Sequence, residues 1–246
     1  MSTPALLEAR AVTVRFGGLT AVDHVSVAFG EGELVGIIGP NGAGKTTFFN
    51  AISGVQPLTG GELIVQGDRL TGRAPHVFSH HGIARTFQTP RVFGDMAVTD
   101  NVRFGLQFAG RGRSGPPSLR DEAAILRLIG LQAQSALPAA AITPSQQRLL
   151  EIGMALATRP RLLLLDEVAA GLTEAEIEAM ARLIRRLRDE LRLCVVWIEH
   201  AVATLLRHVE RVLVLHQGKK LADGTPSAVR SNAEVIEAYL GDEVTG

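Results

Sequence analysis

The chain has 246 residues, 46% of them hydrophobic and 20% charged, with a formal net charge of zero. That length makes one large domain or two small ones, with apolar side chains enough for a substantial core. The balanced charge lacks the basic excess of a nucleic-acid binder, and no apolar run approaches the roughly 18 residues that a membrane span needs.

Any membrane role is therefore expected to be peripheral. Residues 1–8 show no basic segment followed by an apolar one, so no signal peptide is expected. A single cysteine, Cys194, cannot form an internal disulfide and sits in the apolar run Leu193-Cys194-Val195-Val196-Trp197-Ile198. It reads as a small apolar residue of a buried strand in a reducing compartment.

Val12, Val14 and Phe16 alternate with Thr13 and Arg15, and Val25, Val27 and Phe29 alternate with Ser26 and Ala28. This alternation predicts strands, punctuated by Gly17-Gly18 and Gly30-Glu31-Gly32. Leu34-Val35-Gly36-Ile37-Ile38 predicts a short buried strand. Gly39-Pro40-Asn41-Gly42-Ala43-Gly44-Lys45-Thr46 follows it, a full match to the phosphate-loop pattern. Glycines there let successive backbone N–H groups face phosphates. Lys45 would reach the β- and γ-phosphates, and the Thr46 hydroxyl would ligate Mg²⁺. The stretch from Thr47 to Ile52 can open a helix whose positive end faces the same phosphates. Leu63-Ile64-Val65, ended by Gly67-Asp68, is a further strand. Together these strands predict an antiparallel layer beside the phosphate-binding strand.

The region of about 95–157 changes character: Ser118 to Ile129 and Ser145 to Ala157 have helical spacing, with no good strand between them. Arg111 to Ser118 reads as a solvated surface loop. From residue 160 the pattern is strand, helix, strand. Leu162 to Leu165 is continuously apolar, and Thr173 to Leu191 is a long helix with Ile177, Met180, Leu183, Ile184 and Leu187 on one side. Val195 to Ile198 and Val212 to Leu215 are further buried strands. Apolar strands separated by helices indicate a parallel α/β sheet.

Two strand ends carry chemistry. Leu162 to Leu165 runs into Asp166-Glu167. An acid pair after a strand is also an ordinary feature, but beside a phosphate loop it points to an Asp that supports Mg²⁺ and a Glu that polarises attacking water. Ile198-Glu199-His200 repeats the design, and ligands of parallel sheets bind outside the carboxyl ends of strands. His200 is thus expected at the γ-phosphate, while His24, His76, His80, His81, His208 and His216 read as structural or surface residues.

With these elements in order, the chain resembles the ATPase subunit of an ABC transporter over essentially its whole length, most of all the branched-chain amino-acid uptake ATPases. The resemblance rests on residues 16–22, Gly82-Ile83-Ala84-Arg85-Thr86-Phe87-Gln88, Asp166-Glu167 followed by Ala169-Ala170-Gly171-Leu172, Ile198-Glu199-His200, and Ile236-Glu237-Ala238-Tyr239-Leu240-Gly241. It implies an α/β, P-loop NTPase (RecA-like) parallel-sheet core over 1–94 and 158–246, an antiparallel β subdomain, and a helical subdomain over 95–157. It implies that Phe16 stacks on adenine, that Gln88 senses Mg²⁺ and γ-phosphate and couples to the membrane subunit, and that Asp166, Glu167 and His200 are the Mg²⁺-supporting acid, the catalytic acid and the switch histidine. Gly39, Asn41, Gly42, Ala43, Gly44, Lys45, Thr46 and Thr47 would bind the nucleotide. The partners implied are a second ATPase or another copy, integral-membrane permease subunits and, indirectly, an external solute-binding protein, on the cytoplasmic face of the membrane and without nucleic acid.

In such dimers ATP lies between one subunit's phosphate loop and the other's signature, Leu-Ser-Gly-Gly-Gln or close to it. The matching stretch here is Ile142-Thr143-Pro144-Ser145-Gln146, which keeps only the glutamine. Thr143 suits an N-cap, Pro144 the first helical position and Gln146 the capping-box partner. Pro144 lacks an N–H and Ser145 lacks glycine's freedom. Contact of Thr143, Ser145 and Gln146 with the partner's γ-phosphate is expected to weaken, on the order of 1.5–3 kcal/mol for one charge-assisted hydrogen bond. Hydrolysis in a heterodimer would then be asymmetric. Val168, Ala201 and Thr173 depart from the family at positions that serve communication between sites. A non-transport ABC ATPase and a regulatory ATP-binding subunit are the alternative readings.

Overall fold

The computed structural model describes residues 5–109, 116–199 and 202–243. Two sheets organise them. Strands β1 (Leu7–Phe16), β2 (Leu19–Phe29), β4 (Gly60–Val65) and β5 (Asp68–Arg69) form an antiparallel sheet in the order β2-β1-β4-β5. Gly17 and Gly18 make the tight turn between β1 and β2, as the alternation predicts, though β1 carries bulges that the alternation does not reveal.

The second sheet has the order β10-β9-β3-β8-β7-β6, built from β3 (Leu34–Ile38), β6 (Ile83–Arg85), β7 (Leu162–Asp166), β8 (Cys194–Ile198), β9 (Arg211–His216) and β10 (Lys219–Gly224). All its pairings are parallel except β9 with the edge strand β10. β3 lies between β8 and β9, with Val35 opposite both Val196 and Arg211. Every residue of β3, β7 and β8 is buried, which is why these strands read as continuous apolar runs. Their alternate side chains divide the core in two. Val35, Ile37, Leu162, Leu164, Val196 and Ile198 pack toward the antiparallel sheet and α1 (Lys45–Ile52). Leu34, Ile38, Leu163, Leu165, Val195 and Trp197 pack toward the opposite layer of helices.

That opposite layer includes α6 (Glu174–Leu191), whose N-cap Thr173 makes a full capping box with Glu176. It also includes α3 (Val98–Gln107), α4 (Glu122–Ile129) and α5 (Pro144–Ala157). Thr143 caps α5, Pro144 opens it and Gln146 closes the capping box. The helix expected from Ser118 is corrected: Pro117–Leu119 is a 3-10 turn and α4 starts after Asp121, whose carboxylate accepts the Ala124 N–H at 2.8 Å. An N-cap aspartate holds a non-helical backbone, so the two segments cannot be continuous. Most of the loop Arg111 to Ser118 lies outside the described residues. Short elements complete the fold: α2 (Pro75–His80), α7 (Val202–His208), α8 (Pro226–Arg230) and α9 (Ala233–Glu243).

The seam between α3 and α5 is set by Gly105. A Cβ there would stand 2.6 Å from the Met154 carbonyl and 2.8 Å from the Ala157 methyl. Helix propensity alone favours Gly105→Ala by about 1 kcal/mol, whereas forcing a methyl into a packed seam costs about 1–3 kcal/mol. Overpacking is the larger effect, so Gly105→Ala is expected to lower the urea midpoint with an unchanged slope. A raised midpoint would show that α3 is free to lift from α5.

Candidate functional site

β3 ends at Ile38, and the chain must turn at once to bring its backbone amides over the carboxyl edge of the sheet. Gly39 makes the turn where a Cβ would lie 2.1 Å from the Leu215 carbonyl of β9. Gly44 sits at φ 94° with a Cβ position 2.3 Å from the Ala21 carbonyl of β2. No other residue fits either place. α1 then begins at Lys45, two residues before the Thr47 start that the sequence suggests.

Lys45 is buried, and its ammonium donates to the carbonyls of Gly39 at 2.6 Å and Pro40 at 2.9 Å. Burial lowers its pKa, and the charge of Glu167 opposes that shift. Carbonyls are weaker partners for a buried cation than anionic oxygens, so a phosphate would draw the ammonium off them. The loop opens onto a cleft of about 720 Å³ lined by Phe16, Asn41 to Thr47, Gln88 and Glu167, among others. Phe16 and its register partner Leu19 are both exposed at the tip of the β1–β2 hairpin, at one wall of this cleft. An exposed aromatic face there is a stacking surface for a planar ring.

Across the cleft from the loop, the Gln88 amide donates to the Glu167 carboxylate at 2.7 Å. Glu167 is buried, takes φ 50°, and donates its backbone N–H to the Ile198 carbonyl at 3.0 Å. Asp166, one residue earlier, faces the interior. Arg85 pairs with its carboxylate at 3.3 Å, and its backbone N–H donates to the Thr86 hydroxyl at 3.1 Å. The same Arg85 guanidinium donates to Asn50 Oδ1 of α1 and to Ser53 Oγ at its C-cap, at 2.7 and 2.9 Å. It thereby fixes the helix that carries Lys45 against the strand that carries the acids. Burial lowers the Arg85 pKa, and Asp166 acts against it.

Three further residues surround these groups. Arg148 of α5 donates to the Glu167 carbonyl at 3.0 Å and the Ala170 carbonyl at 2.8 Å. Glu151, one turn later, accepts the backbone N–H groups of Phe87 at 3.3 Å and Arg91 at 3.0 Å, on either side of Gln88. Glu199, quoted only as the middle of Ile198-Glu199-His200, accepts the Ala169 N–H at 2.7 Å and the Trp197 indole N–H at 2.9 Å. It is buried, and burial raises its pKa. For Glu151 and Glu199 the one sequence signal is an acid placed beside apolar residues, where an ionisable group needs a partner. His200 and Ala201 lie outside the described residues.

Thr143, Ser145 and Gln146 do not line this cleft. The Thr143 hydroxyl accepts the Gln146 N–H at 3.3 Å, the Gln146 side chain accepts the Thr143 N–H at 3.0 Å, and the Thr143 and Ser145 hydroxyls are 3.0 Å apart. Glu176, at the start of α6, also engages Ser145. Among the described residues no group of three His, Cys, Asp or Glu side chains is gathered to hold a metal. The side chains that offer oxygens to the cleft beside the Thr46 hydroxyl are the Gln88 amide and the Glu167 carboxylate, with Asp166 one residue before Glu167 at the end of β7. That set fits Mg²⁺, which keeps several waters and takes phosphate oxygens, and does not fit zinc. No helix among the described residues is long and apolar enough to cross a membrane.

Comparison with known proteins agrees with this geometry. The ABC transporter family profile matches residues 22–170. That of the branched-chain amino acid ATP-binding cassette transporter matches residues 219–245. The chain is 38% identical to the high-affinity branched-chain amino acid transport ATP-binding protein BraF of Pseudomonas aeruginosa, over 98% of this chain and 100% of that one. It is equally similar, at 38% over the same shares, to LivG of Escherichia coli, which carries the same description. A solved ATP-binding cassette in its ADP conformation superposes with a TM-score of 0.84 at 29% identity, covering 97% of this chain and 100% of that chain. A nucleotide-free cassette gives 0.83 at 28%, covering 96% and 99%.

The carboxyl of Glu151 makes a pH test of the contact between α5 and the Gln88 loop. Burial pushes its pKa up from 4.5 to about 7, against the pull of the Arg91 and Phe87 amides. A carboxyl that holds its proton more tightly in the fold contributes stability below about 4.5 and loses it as pH rises through about 7. Glu151→Gln keeps the acceptor oxygen without the ionisation. The variant is expected to lose less stability than the wild type across that window and to be the more stable of the two on its alkaline side. Parallel urea midpoints across the window would show that Glu151 does not titrate there.

Proposed function

Since the chain belongs to the ABC transporter family of ATP-binding subunits, we propose that its cleft binds ATP with Mg²⁺ and hydrolyses it to power an importer of branched-chain amino acids or a related small organic solute. The observation that carries the hydrolytic part is the Gln88–Glu167 hydrogen bond, 2.7 Å long, in the same cleft as Lys45. It sets a carboxylate opposite the loop that would hold the γ-phosphate.

Phe16 would stack on the adenine. Backbone amides of residues 39–47 would take the phosphates, and Lys45 would exchange its two carbonyls for β- and γ-phosphate oxygens. Thr46, Gln88 and, through water, Asp166 would hold Mg²⁺, which when bound neutralises phosphate charge. Glu167 would orient water for in-line attack, with Lys45 and His200 stabilising the charge that develops. Residues 95–157 would act as a helical subdomain moving against a core of 1–94 and 158–246. The exposed Phe93, Phe104 and Phe108, mutually packed edge to face at 4.9 and 5.1 Å, are an apolar surface beside the Gln88 loop suited to the permease subunits at the cytoplasmic face of the membrane. The solute itself would arrive through the permease from an external binding protein.

The altered signature would serve the partner's nucleotide. Its hydroxyls are committed to the helix cap and to each other, Pro144 has no N–H, and Glu176 adds negative charge beside Ser145. We infer a heterodimer in which the site on Lys45 and Glu167 is the competent one when the partner brings an intact signature. The same observation favours, as a second reading, a regulatory ATP-binding subunit.

Hydrolysis by the wild type, measured beside Glu167→Gln, decides between them. The variant is expected to bind ATP normally and to lower turnover by at least about 10²-fold, the scale of general base catalysis. Turnover that survives the substitution would exclude Glu167 as the base. ATP binding without hydrolysis by the wild type, alone and with its partner ATPase, would favour the regulatory reading. Thr143→Ser, Pro144→Gly and Ser145→Gly together are expected to raise turnover. Unchanged turnover would remove the argument for asymmetry.

A further inference from the structure

Glu199 is a buried acid that the proposed chemistry leaves unused. It follows the last residue of β8 and shares a sheet face with Trp197, two residues earlier. One of its oxygens, Oε1, accepts both the Trp197 indole N–H at 2.9 Å and the backbone N–H of Ala169 at 2.7 Å. An apolar side chain in this place would avoid the cost of burying a carboxylate. What the carboxylate supplies there is a hold on the loop that follows Glu167.

That loop needs holding. Glu167 takes φ 50°, in the left-handed region that a residue with a side chain disfavours. Such a backbone persists where its surroundings over-determine it. The Glu167 N–H donates to the Ile198 carbonyl at 3.0 Å, and the Glu167 carbonyl accepts from Arg148 at 3.0 Å and from the Ala170 N–H at 3.2 Å. Arg148 also donates to the Ala170 carbonyl at 2.8 Å. Arg148 thus takes carbonyls of the turn while Glu199 takes an amide, so the two side chains act on complementary groups of one short segment. The Trp197 indole fixes the Glu199 oxygen in turn, from a strand whose every residue is buried.

We propose that Glu199 is a positioning residue for Glu167: through the Ala169 N–H it holds the turn that sets the Glu167 carboxylate in the cleft. The reach of its oxygen matters more than its charge, because both partners of that oxygen are neutral N–H groups. The proposal rests on the reading of Glu167 as the group that orients water.

Two conservative substitutions separate reach from charge. Glu199→Gln keeps an oxygen at the same distance for both donors and removes the ionisation. Glu199→Asp keeps the carboxylate and draws it back from Ala169 by one methylene. In the full chain with its partner ATPase, Glu199→Gln is expected to retain the wild-type kcat. Glu199→Asp is expected to lower kcat at least about tenfold, the scale of a displaced reacting group, while its Kd for ATP, measured by calorimetry, stays at the wild-type value. Wild-type kcat in Glu199→Asp, a larger loss in Glu199→Gln than in Glu199→Asp, or a loss of kcat in Glu199→Asp matched by an equal loss of ATP affinity would overturn the proposal while leaving Glu167 in its role. Wild-type protein without turnover, or turnover that survives Glu167→Gln, would overturn both.

Discussion

The site depends on one buried cation. The Lys45 ammonium cannot stay charged in the protein without oxygen partners, and its own loop supplies them as the Gly39 and Pro40 carbonyls. Much else in the architecture serves this arrangement. The loop must curl tightly enough to turn carbonyls inward and amides outward, which is possible because Gly39 and Gly44 lie against the Leu215 and Ala21 carbonyls with no Cβ to clash. β3 must be locked between β8 and β9 to hold the loop at the edge of the sheet. Carbonyl partners satisfy the ammonium without binding it as an anion would, so the resting loop is held yet remains exchangeable.

The acids opposite are set by a second cation, Arg85. It bridges the start of the site, through Asn50 of α1 and its C-cap Ser53, to Asp166 at the end of β7. The phosphate helix and the acid strand come from distant parts of the sequence, and side-chain bonds, besides the sheet itself, keep their separation fixed. Stacking of Arg85 over Phe87 and Phe49, 4.7 and 5.4 Å from the ring centroids, holds the guanidinium flat in a place where burial disfavours its charge.

The sheets were legible because their strands follow simple rules. β3, β7 and β8 are buried on both faces and read as unbroken apolar runs, while β2 faces a core on one side and alternates. The phosphate loop was legible because its chemistry requires particular residues at fixed spacing. α3 was not, because the face it buries is Val98, Asn101, Val102 and Gly105, with no regular stripe of large apolar side chains. β6 is three residues long and β10 runs Lys-Lys-Leu-Ala-Asp-Gly, so neither carries a period. Arg85, Arg148 and Glu151 escaped for a different reason: their partners are backbone atoms or residues 35 to 81 positions away, which no local pattern encodes.

Arg148 and Glu151 also give the altered signature a meaning beyond loss. Both lie in the first turns of α5, and both hold loops of this subunit's own cleft, Arg148 at Glu167 and Glu151 around Gln88. Their positions depend on where α5 begins. Thr143-Pro144-Ser145-Gln146 is a poor surface for gripping a phosphate but a strong helix start, with a complete capping box and proline at the first helical position. Glycines at the second and third of these positions would leave the first turn freer to fray, since glycine is the weakest helix former after proline. If this stretch faces a partner's nucleotide, as proposed, it would offer that nucleotide less while giving rigidity to the helix that supports the chain's own Gln88 and Glu167. On that reading, outward contact and inward support would be separable functions of one helix start, and the capping box favours the second.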